Sequence, residues 1–159
     1  MEDICHIRVD DRLLHGQVCS IWSNCLKVSR LMVANDQVSE DELQKKVLRM
    51  AAPAGIKTSI INLETAAQNI LAGKYAGQRV MIIVKTPVDL VRLMDLGLPI
   101  TDVNVGNMGN SEGKKQYCNS VFLTDKEREA FLELDKRHVR LTAQMTPEYK
   151  SIDFAAQLK

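Results

Sequence analysis

Short aliphatic or β-branched runs recur along this chain at near-regular intervals: Ile4–Val9, Leu31–Ala34, Thr58–Ile61, Val80–Val84, Val103–Val105, Val121–Leu123 and Val139–Leu141. Each is strand-length, and most gaps between them carry a helix-period pattern. Parallel strands need crossover connections, and helices supply them. The alternation therefore predicts an α/β fold: a single-domain, mostly parallel open sheet with helices on both faces, spanning residues 1–159.

The helical segments have readable starts: Ser39 with Glu42, Thr86 with Pro87 and Asp89, and Thr124 with Glu127 are capping boxes or N-terminal proline signals. Leu43, Val47 and Met50, and then Leu90, Leu93 and Met94, give two of these segments an apolar face, so Met50 and Met94 are expected in the core with Met32 and Met81. In such a sheet, ligands bind where loops leave the C-terminal ends of the strands. Those loops are Asp10–Gly16, Asn35–Val38, Lys85–Pro87 and Gly106–Lys115, the most polar, glycine-bearing stretches of the chain.

Charge narrows the partners. Lys and Arg number 21 against 20 Asp and Glu, a formal net charge of +1, so no global positive field holds a phosphate backbone. Aromatics at 4% leave few faces for stacking bases, which argues further against nucleic acid. The four cysteines (Cys5, Cys19, Cys25, Cys118) form no C-x-x-C pair and no zinc-type spacing with His6, His15 or His138. They are expected to be reduced, buried thiols, and neither metal nor cofactor is expected. The longest aliphatic stretch, Val80–Val84, is too short to span a bilayer, and no leader opens the chain, so a cytoplasmic protein is expected.

The candidate chemistry lies in R-V-D-D-R-L-L-H-G-Q-V, Arg8 to Val18, directly after the first strand. Gly16 lets the backbone turn tightly into a helix whose first N–H groups lack intrahelical partners, an arrangement that attracts an oxyanion. Arg8 and Arg12 add planar, charge-assisted hydrogen bonds to phosphate oxygens. Asp10 and Asp11 are placed to hold those arginines or the imidazole, and His15 supplies a ring nitrogen as nucleophile.

This segment, followed by Trp22, resembles the active-site segment of the IIB components of the mannose-type (mannose, fructose, sorbose) bacterial phosphotransferase system. The family pattern R-x-D-x-R-L-x-H-G-Q-V is met by Arg8, Asp10, Arg12, Leu13, His15, Gly16, Gln17 and Val18. The resemblance continues through Ala34-Asn35-Asp36, Lys85-Thr86-Pro87, Asn104 to Gly109 and Gly113 to Gln116. It implies a sheet of about seven strands. It also implies a phosphocarrier in which Nδ1 of His15 receives a phosphoryl group from a phosphohistidine of the IIA protein. The group then passes to a sugar bound by the membrane IIC and IID subunits, which the chain visits at the inner face of the cell membrane without spanning it. Arg12 and Arg8 are the expected catalytic partners of His15, with Asp10, Gly16 and Gln17 in support.

Other features carry blander readings. Gly109 to Lys115 looks like a nucleotide loop, but only three residues separate its glycines and Lys115 stands where Ser or Thr should bind magnesium. It is expected to position the His15 loop, to meet a partner, or to be a solvated turn. His6 and His138 are expected to be structural or surface residues. The alternative function is a non-catalytic α/β domain that binds a phosphorylated ligand or nucleotide at the same edge.

Overall fold

In the computed structural model, which describes all 159 residues, the elements run in this order: β1 (Ile4–Val9), α1 (Gly16–Leu26), β2 (Arg30–Ala34), α2 (Asp36–Ser39), α3 (Glu42–Ala51), β3 (Lys57–Ile61), α4 (Leu63–Leu71), β4 (Val80–Val84), α5 (Pro87–Asp95), β5 (Asp102–Val105), β6 (Lys115–Cys118), β7 (Val121–Leu123), α6 (Asp125–Lys136), β8 (Arg140–Ala143), β9 (Ile152–Asp153) and α7 (Phe154–Gln157). A seven-stranded sheet has the order β3-β2-β4-β1-β5-β8-β9. All its pairings are parallel except β8 with β9. The predicted α/β class and the helices on both faces are thus borne out.

The strands alternate between two cores, as period-2 side chains must. Val80, Ile82 and Val84 of β4 face a cluster of 27 buried residues shared with α4 to α7, whereas Met81 and Ile83 face 12 residues shared with α1, α2 and α3. On β1, Ile7 and Val9 join the larger core. His6, Arg8 and Asp10 consequently point to the α1 side, so that face of β1 is polar. From β1 the chain leaves through α1 toward β2, while from β4 it crosses β1 through α5 to β5. The connections part beside β1, the kind of position where open α/β sheets bind ligands.

Several expectations are corrected. Val121–Leu123 is a strand but lies outside the main sheet, pairing antiparallel with Lys115–Cys118. The seventh strand of the main sheet is instead Ile152–Asp153. Thr86 and Thr124 cap α5 and α6 as predicted, Thr124 in a full capping box with Glu127. Ser39, however, closes α2, which Asn35 caps, and α3 is capped by Asp41 through Gln44 N at 3.0 Å. The stripe Leu43, Val47, Met50 faces solvent, with Met50 85% exposed. Of helix α3 only Leu48 enters the core. Met32 and Met81 are buried as predicted, and Met94 packs half-buried on the larger core. Of the cysteines only Cys19 is buried; Cys25 is exposed, and Cys5 and Cys118 are half-buried. No helix is long and apolar enough to cross a membrane.

Candidate active site

Strand β1 ends by delivering Asp10 into a corner between β4 and β5. Its backbone N–H still continues the sheet, donating to Val84 O at 3.0 Å, and its side chain is wholly buried. A buried carboxylate is tolerated only with charged or hydrogen-bonded company, and Asp10 has two arginines and an imidazole. Its Oδ2 accepts from Arg8 Nη2 at 3.1 Å and meets His15 Nε2 at 3.1 Å. Its Oδ1 accepts from Arg12 N at 3.0 Å and Arg12 Nε at 3.2 Å. Burial by itself raises the Asp10 pKa. The hydrogen bonds from His15 and Arg12 and the charges of Arg8 and His15 outweigh it and hold the group at about 2.

The two arginines of the motif differ in kind. Arg8 is 1% exposed and donates to the Asn104 carboxamide and to Gln144 O at 3.0 Å, so its guanidinium is an internal strut between β1, β5 and the end of β8. It also lies 5.7 Å from the Trp22 ring centre. Arg12 has a side chain 41% exposed and faces outward beside His15. A Cβ on Gly106 would overlap the Arg8 guanidinium, so this position needs glycine for the close approach.

His15 is the N-cap residue of α1 but makes no side-chain capping bond, and no acidic residue sits in the first turn. The free N–H groups of that turn and the positive end of the helix lie next to the imidazole. Gly16 takes φ +37° as it opens the helix, and Leu13 before it is also left-handed at φ +60°, with its side chain buried in the α1-side core. Two buried leucines thus pin a turned loop that presents His15, its side chain 22% exposed. Gly16 and Gln17 are exposed on the first turn, outside the Asp10 network.

Asp11, unlike Asp10, holds neither arginine nor imidazole. Its Oδ1 accepts from Asn107 Nδ2 at 2.9 Å and its Oδ2 from Gly109 N at 2.7 Å, while its own N–H donates to Asn107 O at 2.9 Å. The Gly106–Lys115 loop is therefore tied to the His15 loop. Lys114, which the nucleotide-loop reading would free for phosphate, donates instead to Gly109 O at 3.1 Å and lies 3.7 Å from Glu127. His6 stacks on Trp22 with ring centres 4.5 Å apart. Burial, then the Arg8 charge, push its pKa down to about 4, so it is a neutral structural ring. His138 is exposed in the turn before β8. No group of three or more potential metal ligands occurs.

Sequence reading quoted Asn104 only within the Asn104 to Gly109 stretch, with no role in the site, and missed Gln144 and Met145. Asn104 left a trace: an Asn between two valines of an interior strand is a buried amide in need of a partner. Gln144 and Met145 left none, since they join the site through backbone oxygens and a thioether.

Fold and site together define an open parallel-sheet α/β protein that presents, at its switch point, an imidazole tethered to a buried carboxylate and flanked by an outward arginine. Residues 4–159 match the family described as PTS system sorbose subfamily IIB component. The mannose-specific EIIAB component of Escherichia coli K12 is 36% identical over 154 residues, covering 95% of this chain and 48% of that protein. The chain thus spans about half the length of that relative. The sorbose-specific EIIB component of Klebsiella pneumoniae is 35% identical over 92% of this chain and 89% of its own length. The crystal structure of the IIB domain of the Klebsiella pneumoniae sorbose permease superposes with a TM-score of 0.93 at 33% identity, covering 98% of this chain and 96% of that one. The chain belongs to the sorbose-subfamily IIB components of the phosphotransferase system.

Proposed function

We propose that this chain is a phosphocarrier that accepts a phosphoryl group on Nδ1 of His15 from a phosphohistidine of a IIA protein. It then passes the group to a sugar held by membrane IIC and IID subunits. The observation that carries this reading is the bond between His15 Nε2 and the buried Asp10 carboxylate at 3.1 Å. With Nε2–H donated to Asp10, the lone pair is on Nδ1, the nitrogen left free to attack phosphorus. The N–P bond to the donor breaks as the new bond forms, and the donor imidazole keeps the electron pair. The phosphorylated ring carries positive charge while Nε2 keeps its proton, and Asp10 stabilises it. In the onward step a sugar hydroxyl oxygen attacks phosphorus, the N–P bond of His15 breaks, and the hydroxyl proton is released.

Arg12 faces outward and can bind equatorial phosphoryl oxygens, where transferring charge is held by position and electrostatics more than by a strong base. Arg8 acts indirectly, by fixing Asp10. The first-turn amides of α1, opened by Gly16 and Gln17, add to the anion-attracting field. Because each partner must bring its reactive atom over the same imidazole nitrogen, donor and membrane complex are met in turn, from the cytoplasmic side and by peripheral docking.

Incubation with phosphoenolpyruvate, the general phosphotransferase proteins and a IIA protein tests the reading. Acid-labile, alkali-stable phosphate is expected on His15, and His15→Ala is expected to lose it while keeping its fold. Phosphate on His6, His138 or a cysteine overturns the assignment. Binding of a phosphorylated ligand with no covalent phosphate is what the non-catalytic alternative gives.

A further inference from the structure

Met145 stands between β8 and β9, on a short segment that the site grips from several sides. Its carbonyl oxygen accepts from Trp22 Nε1 at 2.8 Å. The preceding carbonyl, of Gln144, accepts from Arg8 Nη1 and from Asn104 Nδ2, each at 3.0 Å. The backbone is thus fixed, and the side chain it carries is aimed at the arginines. Met145 Sδ lies 3.5 Å from Arg12 Nη2 and 3.6 Å from Arg8 Nη2. The half-buried Met145 also lines a cavity of about 500 Å³ shared with Ser120 and Tyr149, which opens the residue to small solutes.

The Arg12 guanidinium is therefore held between two unlike acceptors. On one side is the Asp10 carboxylate, with Nε at 3.2 Å and Nη2 at 3.4 Å. On the other is a thioether, a weak acceptor with no charge. A weak acceptor keeps the guanidinium beside His15 at little cost when it turns toward a phosphoryl group. A strong acceptor at the same place would compete with phosphate for those N–H groups.

We propose that Met145 is a positioning residue for Arg12, and that oxidation of its sulfur switches transfer off. The proposal rests on the reading of Arg12 as the phosphoryl-binding arginine. A peroxide is the oxidant: its O–O bond breaks, one oxygen bonds to the sulfur, which gives up two electrons, and the other leaves as water. The sulfoxide oxygen is polar and accepts strongly where the sulfide accepted weakly, so it captures Arg12 and Arg8.

The test compares single-turnover transfer from a phosphorylated IIA protein to His15 in wild type, M145L and M145Q. M145Q places an amide oxygen against Arg12 and is expected to slow transfer about tenfold, the weight of one hydrogen bond to a charged group. M145L keeps an apolar wall and is expected to lose less. Wild type treated with hydrogen peroxide is expected to slow like M145Q and to recover with methionine sulfoxide reductase. M145L shows no added loss on peroxide treatment, although the exposed Met50 is oxidised in both proteins. In an Arg12→Ala background, M145Q has no further effect, which a merely structural role would not produce. Fluorescence of Trp22, the single tryptophan, checks that the segment remains seated. If wild-type His15 takes no phosphate, the phosphocarrier reading fails and this proposal with it. If wild type transfers normally but M145Q and the oxidised protein match it, or M145Q slows the Arg12→Ala protein equally, the proposal alone is wrong.

Discussion

Asp10 and Asp89 sit at the same edge of the sheet, in loops or first turns that follow neighbouring strands, and both are at least nine-tenths buried. Their pKa values move in opposite directions. Asp10 is held at about 2, because hydrogen bonds and charge from His15, Arg12 and Arg8 overcome burial. Asp89 is raised to about 6: burial dominates, and a hydrogen bond from Asn35 Nδ2 at 3.0 Å offsets it only in part. Burial alone therefore does not decide what a carboxylate does; the number of cationic donors converging on it does. The first corner is built to keep a negative charge under an imidazole. The second, in a cavity of about 450 Å³ lined also by Asp36 and Lys85, holds a carboxyl that keeps its proton up to about pH 6.

The largest expected effect lies in the first corner. Asp10→Ala leaves the buried Arg8 guanidinium without its carboxylate, and breaking a buried pair in this way costs about 3–5 kcal/mol. The same change frees His15 Nε2, so the nitrogen that carries the proton is no longer set and phosphoryl acceptance falls as well. Urea denaturation and phosphate incorporation are the two measurements. A stability loss below about 1 kcal/mol would show that Arg8 finds other partners, and the contrast between the two aspartates would lose its basis.

Gly106→Ala attacks the same corner through packing. The added methyl would overlap the Arg8 guanidinium, which Asn104 and Gln144 hold in place. Overpacking of this kind costs about 1–3 kcal/mol. Thermal denaturation checks it, and the expected companion is a slower phosphoryl transfer caused by displacement of Asp10. An unchanged melting temperature would mean that Arg8 moves freely, and is no strut.

These residues also show how far the sequence was legible. Period-2 alternation on β1 places His6, Arg8 and Asp10 on one face and Ile7 and Val9 on the other, and the structure keeps that division. The loop from Asp10 to Gly16 was legible because its Arg, His and Gly chemistry is local. The α3 stripe misled, because periodicity reveals that a helix has an apolar side but not which side meets the sheet. Strands β6 and β9 were missed because lone polar strands of four and two residues have no hydrophobic run to announce them. The part of the site supplied by Gln144 and Met145 depends on the path of the chain after β8, and backbone carbonyls carry no side-chain signature.

Asp89→Asn sharpens the comparison with a change that leaves the contacts of the first corner in place. The folded state raises the Asp89 pKa above its unfolded value, so the folded protein binds a proton there more tightly than the unfolded chain does. Stability from this group is fully present below about pH 4 and is lost as pH rises through about 6. Asn resembles the protonated form and can still accept from Asn35 through its carbonyl oxygen. Wild type and variant should therefore match near pH 4, and above pH 6 the variant should be more stable by up to about 3 kcal/mol. Asp10 runs the other way: its stabilisation is present above about pH 4 and is lost as pH falls through about 2. Measuring the stability difference between wild type and Asp89→Asn at each pH removes the contribution of Asp10, which both proteins share. A difference that stays constant from pH 4 to pH 7 would show that Asp89 titrates as an ordinary surface carboxylate. The two corners would then differ in geometry alone, and not in how they hold charge.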